Sequence, residues 1–249
     1  MKKKIVFIGF MCLGIFQAQA QDQIVSGGFG HFSSGPVFSN IGKIGSYMSS
    51  ADVLGPIEIR SVGVLSGGEG YGILGEKVII GGGGFGVNFP KVSNERAVLS
   101  PTSWAGKFNI GYIFWNKNLS LMYAYGGMGA GGYAYDITNK GSDSIFFDRY
   151  KPLLEGESKT YSISGATYEM GVSYKKFVMT SKSREECRAD GELSKVSGLM
   201  LGVDLGCNFA LAVNGWSDVG VGPAYFNPVF TYFRVTIGGG GANVTNCVR

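Results

Sequence analysis

The sequence of 249 residues is poor in charge, and beyond its first twenty residues it has no long uninterrupted apolar run. Charged residues make up 16% of the chain, whereas about a quarter is usual in soluble domains. A membrane-spanning helix needs about 18 or more consecutive apolar residues, and the rest of the chain contains no such stretch. An apolar chain of this kind must bury its apolar side chains in a soluble core or expose them to lipid as a β-barrel.

The first twenty residues have the three parts of a secretory signal peptide. Three lysines at positions 2–4 precede an uncharged run over 5–16, and AQA at 18–20 provides a small-residue cleavage site. We therefore expect residues 1–20 to be removed and the protein to be exported. The remaining 249 − 20 = 229 residues carry a net charge of +4 − 3 = +1, which gives no electrostatic reason to expect a nucleic-acid partner.

Histidine is almost absent, since His31 is the single one in the chain. One histidine without a surrounding motif gives little support for base catalysis. Ser33 and Ser34 follow it closely, as a hydrolase or acyltransferase at the rim of a barrel would require. We expect His31 to be a structural rim residue and the protein not to be an enzyme, and we keep a rim hydrolase or acyltransferase as the alternative.

Three cysteines remain after the signal peptide, so at least one lies outside any internal disulfide. Cys187 lies in a long connection between predicted strands and Cys247 lies near the C-terminus. The predicted topology places both in an oxidising compartment, where a disulfide between them is possible. Cys207 falls on an apolar strand face. No group of histidine and cysteine residues has the sequence spacing of metal ligands, so we expect no metal site.

Glycine is abundant, with 42 residues, and much of it falls inside strand-like segments. GGGGFG at 81–86 and the stretch 127–132 formally match the dinucleotide-binding pattern GxGxxG. That site needs a helix directly after its loop, and no helical pattern follows either match, so we expect no cofactor. Glycine in strands instead suits the coiling of a closed barrel and leaves room for large neighbours. The glycines at 81–84, which occupy both strand faces, have no explanation at the sequence level.

Eight segments have the composition of β-strands, and almost none has a helical pattern. They span residues 23–33, 59–73, 76–88, 105–116, 118–135, 160–178, 196–211 and 227–241. Short turns largely alternate with long connections, which is typical of outer-membrane barrels with periplasmic turns and external loops. The sequence therefore predicts an all-β fold, an eight-stranded antiparallel up-and-down transmembrane β-barrel over residues 21–241, followed by a tail at 242–249.

Apolar and polar residues alternate along four of these strands, which indicates strands with two different faces. The apolar face includes Phe108, Ile110, Tyr112, Phe114, Tyr168, Met170, Val172, Leu201, Val203, Leu205, Phe233, Val235 and Ile237. The other face is mainly glycine, serine and asparagine, with too few charges for a solvated outer wall. We therefore expect the apolar face to meet lipid. Aromatic residues near strand ends are expected on that face: Trp115, Tyr123, Tyr125, Tyr133, Tyr135, Tyr161 and Tyr174.

A small set of charged residues falls on the polar face and is therefore predicted to lie in the lumen. These residues are Glu69, Lys107, Glu169, Lys175, Asp204 and Arg234. Buried charges must be paired and hydrogen-bonded, and eight strands leave space only for side chains. We interpret the set as a network that fills the lumen. A narrow polar path for ions or small solutes is the alternative.

Four glycine- and aromatic-rich segments carry a resemblance to a known group of proteins. They are GGFGHF at 27–32, LSGGEGYGILGEKVIIGGGGFG at 65–86, GKFNIGYIFW at 106–115 and YFRVTIGGGG at 232–241. Together they resemble a group of glycine-rich, uncharacterised bacterial outer-membrane β-barrel proteins. The resemblance implies a barrel fold and an outer-membrane location, and it implies no particular activity.

The long connections would then face the outside of the cell. They cover residues 34–58, 89–104, 136–159 and 212–226, and their aromatics are Trp104, Phe146, Phe147, Tyr150, Trp216, Tyr225 and Phe226. Such aromatics either contact a ligand or protein partner or fold down over the rim. We expect a structural or surface-interaction protein in contact with outer-membrane lipid. The alternative is a secreted or periplasmic soluble barrel that binds an apolar small molecule in its interior.

Overall fold

The computed structural model describes residues 23–43, 54–145, 152–181, 194–211 and 229–245, and within them the chain is almost entirely β-structure. The strands are β1 (Gln23–Ser39), β2 (Val62–Leu74), β3 (Val78–Asn88), β4 (Val92–Ser93), β5 (Ala97–Lys117), β6 (Ser120–Asn139), β7 (Ser158–Thr180), β8 (Ser194–Leu211) and β9 (Val229–Thr245). Among the described residues, no helix is long and apolar enough to cross a membrane.

The long strands close into a ring. Each pairs antiparallel with its neighbours in the order β3, β2, β1, β9, β8, β7, β6, β5, and β3 pairs with β5 to complete the circle. The two-residue strand β4 adds only to β5. The predicted all-β, eight-stranded antiparallel barrel is therefore confirmed. Closure leaves no long unpaired strand edge in the described part of the chain, since every long strand there has a partner on both sides.

Several strands extend beyond their predicted ends, and the predicted loops shrink accordingly. Strand β1 reaches Ser39, and β5 begins at Ala97, so parts of 34–58 and 89–104 are strand. The range 136–159 likewise loses residues to β6 and β7, whereas 212–226 lies outside the described residues. At the other end, β9 continues to Thr245, so residues 242–245 of the predicted tail are strand.

Two of these strand extensions contain a proline. Pro36 lies in β1 and Pro101 in β5, although proline cannot donate a ladder hydrogen bond. In the structure, Pro36 lies where the pairing of β1 with β9 is interrupted between Ser34 and Val37. Pro101 lies on β5 between the end of its pairing with β3 and the start of its pairing with β4. Neither position has a ladder partner on that edge, so each strand continues through its proline.

The short turns depend on residues in the left-handed region. Gly75 and Glu76 have φ of 57° and 65° between β2 and β3, and Asn118 and Leu119 have φ of 52° and 57° between β5 and β6. At Asn118 and Leu119 these values give the type I′ geometry that matches the strand twist of a two-residue hairpin, whereas the β2–β3 connection has three residues between the paired Leu74 and Val78. Leu119 is a poor residue for this conformation, but its side chain packs against a buried apolar cluster inside the barrel at this end.

The apolar strand face points outward, as the sequence predicts. Phe108, Ile110 and Val235 are 55–56% exposed, whereas Lys107 and Asp204 on the opposite face are at most 8% exposed. Side chains alternate between the two sides of a sheet, so this contrast extends along each strand. The outer wall of the barrel is therefore apolar, and polar side chains are enclosed.

The prediction for five of the seven strand-end tyrosine and tryptophan residues was wrong. Tyr123, Tyr125, Tyr133, Tyr135 and Tyr161 are buried inside the barrel. The outer positions of β6 carry small residues such as Ala124 and Ala130 instead, and the large rings fill the interior. Trp115 and Tyr174 are half-buried, and their rings lie 6.2 Å apart.

The interior has three layers. An apolar group, here called the loop-end cluster, lies towards the long connections and includes Val37, Leu65, Phe85, Tyr133, Tyr161 and Phe230. A second group, the turn-end cluster, lies towards the short turns and includes Ile24, Phe29, Ile79, Tyr123, Phe177 and Met200. Between the two clusters lie the buried polar and charged side chains, which form the candidate site.

Candidate functional site

The six charged residues predicted for the lumen all lie inside the barrel, and we call them the charged layer. They are Glu69 on β2, Lys107 on β5, Glu169 and Lys175 on β7, Asp204 on β8 and Arg234 on β9. None is more than 8% exposed. Each occupies an inward position of its strand, so the pleat of the sheet brings them together.

These side chains form a continuous chain of ion pairs with alternating sign. Lys107 Nζ lies 2.7 Å from Glu69 Oε1 and also contacts Glu169. The Arg234 guanidinium donates to both oxygens of Glu69, at 2.6 and 2.9 Å, and its Nε donates to Asp204 at 2.8 Å. Lys175 Nζ completes the chain 2.6 Å from Asp204 Oδ1. Three carboxylates therefore balance three cations.

Side chains of tyrosine, asparagine, serine and threonine form further hydrogen bonds with the charged layer or with one another. Tyr71 Oη donates to Glu69 Oε2 at 2.8 Å and accepts from Asn109 Nδ2 at 2.9 Å. Ser173 Oγ donates to Asp204 at 2.6 Å, and Lys175 donates to Thr236 at 2.8 Å. Tyr232 donates to Glu169 and lies 2.8 Å from the hydroxyl of Tyr125. The alternation in the sequence predicts that the serine, asparagine and threonine side chains face inward, but it does not predict this for the tyrosines.

His31 lies in the middle of β1 and inside the barrel, not at the outer rim where the sequence placed it. It is 6% exposed, and its ring stacks near Tyr71 and Phe29, with centroids 5.9 and 6.0 Å away. Its Nε2 is 3.5 Å from Glu69 Oε2. Ser33 faces inward and Ser34 outward, so the two serines lie on opposite sides of the strand. The position of His31 is that of a packed interior residue.

One arrangement of these groups has the geometry of a cation site. Ligand atoms of His31, Glu69 and Asp204 all lie within 4.8 Å of one another. The carboxylate oxygens, however, already accept from Arg234, Lys107, Lys175 and neighbouring hydroxyl groups. A divalent ion would add charge beside three cations that are already neutralised, so the residues present do not fit a metal.

Inward glycines leave the space that these large side chains occupy. A Cβ on Gly83 would overlap Glu69 and its backbone, and a Cβ on Gly81 would overlap Tyr71. Gly171 and Gly206 lie in the same way against the hydroxyl ends of Tyr125 and Tyr232. This explains half of the glycine run at 81–84, because Gly81 and Gly83 face the interior while Gly82 and Gly84 face outward.

Described parts of the long connections close the interior at the loop end. Leu54, Ile57, Ile59, Ile145 and Leu153 are buried in the loop-end cluster. The side-chain amide of Asn94 donates to the carbonyl of Leu54 at 2.6 Å, while its oxygen accepts from the backbone N–H of Ala97 at 2.8 Å. Asn139 similarly donates to the carbonyls of Asp143 and Leu153, both at 2.9 Å.

Several predicted features fall outside the described part of the chain. These are the signal peptide at 1–20, Cys187, Cys247, and the loop aromatics Phe146, Phe147, Tyr150, Trp216, Tyr225 and Phe226. Trp104, predicted to lie in a loop, is an outward residue of β5 and is 50% exposed. Cys207 is a free thiol on the outer face of β8.

No family model matches the chain, and no curated protein matches it either. Among solved structures it is similar to Ail, the attachment invasion locus protein of Yersinia pestis, at 9% identity and a TM-score of 0.40, over 87% of this chain and 98% of that one. It is also similar to the outer-membrane protease OmpT of Escherichia coli, at 10% identity and a TM-score of 0.30, over 89% and 96%. The outer-membrane protein OprG of Pseudomonas aeruginosa matches at 10% identity and a TM-score of 0.29, over 90% and 96%.

Proposed function

We propose that the protein is an outer-membrane β-barrel with a lumen filled by side chains, and that its role is structural or in surface interaction. The observation that carries this proposal is the reversed polarity of the barrel, which is apolar outside and holds a neutral charged layer inside. A soluble barrel has the opposite arrangement. The expected signal peptide provides the route of export.

The height of the apolar wall supports a membrane location. On β5 the outward positions from Trp104 to Phe114 carry five large apolar side chains and Gly106. Ten residue steps of about 3.4 Å, on a strand tilted by about 40°, span roughly 26 Å. That height matches the lipid-facing band of about 25 Å in outer-membrane barrels. Further towards the loop end the outer wall becomes polar, with hydrogen bonds between Thr160 and Asp136 and between Thr138 and Ser158.

The filled interior favours a barrel without a channel. A solute would have to pass the loop-end cluster, the charged layer and the turn-end cluster, all of which consist of buried side chains in contact. Separating any ion pair of the charged layer would leave a buried charge uncompensated, at a cost of several kcal/mol. Catalysis by His31 is also not expected, because the ring lies within the interior.

The loop end is the part of the molecule that we assign to surface interaction. Asn94 and Asn139 hold described segments of the connections at this end of the barrel, so these segments have a fixed arrangement. Charged and exposed residues such as Arg96, Lys140 and Glu155 lie in them. A protein or other external ligand would bind there, as residues on rigidly supported loops commonly do.

Fractionation and conductance test this proposal together. The protein should remain with outer membranes after alkaline and high-salt washing, and its migration in detergent gels should change on heating. Purified protein in a planar bilayer should give no steady single-channel current. Recovery in the soluble fraction would support instead the soluble barrel with an apolar ligand, and a steady current would disprove the filled lumen.

A further inference from the structure

A cleft of about 330 Å³ lies at the turn end of the barrel, where β1, β8 and β9 are adjacent. We call it the rim cleft, and it is lined by Gly27, Ser181, Lys195, Val196, Ser197, Gly241, Ala242 and Asn243. The hydroxyls of Ser181 and Ser197 lie 2.7 Å apart, and the Asn243 amide donates to Ser26 at 2.9 Å. Lys195 carries the one charge among the described lining residues. A cation beside hydroxyl and amide groups suits an anion such as a phosphate.

The rim cleft continues into an unusual part of the outer wall. We call this part the glycine face, and it consists of Gly28, Gly30, Gly68, Gly70, Gly72, Gly82, Gly84, Gly86, Gly106, Gly239 and Gly241. Strand register joins them, since Gly241 lies opposite Gly28, Gly30 opposite Gly70, Gly70 opposite Gly82 and Gly84 opposite Gly106. The face crosses five adjacent strands, so it extends for about 19 Å around the barrel.

The barrel itself does not require glycine at most of these outward positions. A Cβ on Gly30, Gly70 or Gly241 would meet nothing closer than 3.7 Å, and one on Gly106 would meet nothing within 4 Å. Gly82 is an exception, because its Cβ would overlap the carbonyl oxygen of Lys107, and a Cβ on Gly28 or Gly84 would lie only 3.1–3.2 Å from a carbonyl oxygen. Glycine in a strand costs about 0.5–1 kcal/mol relative to alanine, and packing within the chain does not account for that cost at the other eight outward positions.

Larger side chains border the glycine face, so the bare backbone forms a shallow trough. Phe32 and Ile237 stand on the side nearer the loop end, and Leu74 and Phe108 on the side nearer the turns, each at least 52% exposed. The trough leads obliquely from the rim cleft towards the middle of the wall, because the strands are tilted.

We propose that the rim cleft and the glycine face together bind one anionic phospholipid of the leaflet on the turn side. The phosphate headgroup lies against Lys195, Ser181 and Ser197, and the acyl chains lie in the trough, where the absence of side chains allows close contact. This inference rests on the proposed membrane location. It identifies the occupant by two independent features, the charge of the cleft and the shape of the trough that joins it.

Native mass spectrometry of the full protein in mild detergent tests this inference, with phosphatidylglycerol and phosphatidylcholine as the added lipids. We expect one phosphatidylglycerol to be retained in preference to phosphatidylcholine. Lys195→Gln should weaken retention about fivefold, and Lys176→Gln, at the same end of the barrel but away from the cleft, should not change it. Gly30→Leu or Gly70→Leu should fill the trough and reduce retention, whereas Ala124→Leu on the outer wall of β6 is the matched control.

Membrane fractionation of the same variants separates the two proposals. If the wild-type protein is soluble, the proposed function is wrong. If it is a membrane protein but retains both lipids equally, or if Lys195→Gln and Gly70→Leu leave retention unchanged, the lipid site alone is wrong. Displacement of the lipid by inorganic phosphate with no effect of Gly30→Leu would also overturn the site, because the trough would then take no part.

Discussion

The charged layer and the loop-end cluster share one barrel interior but depend on different properties of their residues. In the charged layer each group needs partners of opposite charge, as Glu69 has in Lys107 and Arg234. In the loop-end cluster, residues such as Leu65 and Val37 contribute volume and apolar surface, and no single partner is essential. Stability should therefore respond to charge in one region and to volume in the other, although both are equally buried.

The largest expected effect is the loss of a carboxylate that holds two cations. Glu69→Gln keeps the shape of the side chain but leaves Lys107 and Arg234 undercompensated, and it should reduce the free energy of unfolding by about 3–5 kcal/mol. Urea unfolding of the barrel in lipid vesicles measures this. Glu58→Gln, at an exposed side chain, is the control and should change stability little. Equal effects of the two variants would contradict the pairing described for the charged layer.

A volume change in the loop-end cluster should have the next largest effect. Leu65 is fully buried, and Leu65→Ala removes apolar contacts and leaves a cavity, so we expect a loss of about 3 kcal/mol. Leu74→Ala, on the outer wall at 56% exposure, changes the same atoms where lipid can fill the space and should cost less than about 1 kcal/mol. If Leu74→Ala destabilised the barrel as much as Leu65→Ala, the location of a leucine inside the barrel or on its outer wall would not determine the loss of stability.

Adding a single methyl group to an inward or to an outward glycine of β3 compares the interior of the barrel with its outer wall. Gly83→Ala places a Cβ against the backbone beside Glu69 and should destabilise the barrel by about 1–3 kcal/mol through overpacking. Gly86→Ala faces outward, where its Cβ would meet nothing closer than 3.9 Å, and should be neutral or slightly stabilising. Both are measured by the same unfolding experiment, and a destabilising Gly86→Ala would show that the outer glycines also serve the barrel itself.

The alternation along β5, β7, β8 and β9 was sufficient to predict the barrel, its outer face and the inward direction of five of the six charges, and Glu69 on β2 is the sixth. Successive side chains of a strand point to opposite faces of the sheet, so an alternation of apolar and polar residues directly indicates which side chains face inward. The tyrosines of β6 were assigned to the wrong side, because glycine, alanine and tyrosine alternate there and either face could have been apolar. Their direction depends on space left by glycines on other strands, such as Gly171 and Gly206, and a single sequence does not show which strands are neighbours.

The glycine run at 81–84 was unexplained for the same reason. Gly81 and Gly83 make room for Tyr71 and Glu69 of the adjacent strand, whereas Gly82 and Gly84 continue an outer surface that five strands share. The predicted strands end before Pro36 and begin after Pro101, and proline is unfavourable in a fully paired strand. The register shows that one of the two neighbouring ladders is interrupted at each of these positions.

The smallest expected effect concerns the closure over the loop-end cluster. Asn94→Ala removes the hydrogen bonds to the carbonyl of Leu54 and from the N–H groups of Arg96 and Ala97, and should lower stability by about 1 kcal/mol. Because these bonds lie above the barrel wall, the change should appear as faster hydrogen exchange in residues 54–61 and 92–97 with little effect on the charged layer. Ser93→Ala, exposed beside it, is the control. If exchange at Lys107 and Asp204 rose as much as at Leu54, the closure and the charged layer would unfold as one unit, and the distinction between partner-dependent and volume-dependent regions would be wrong.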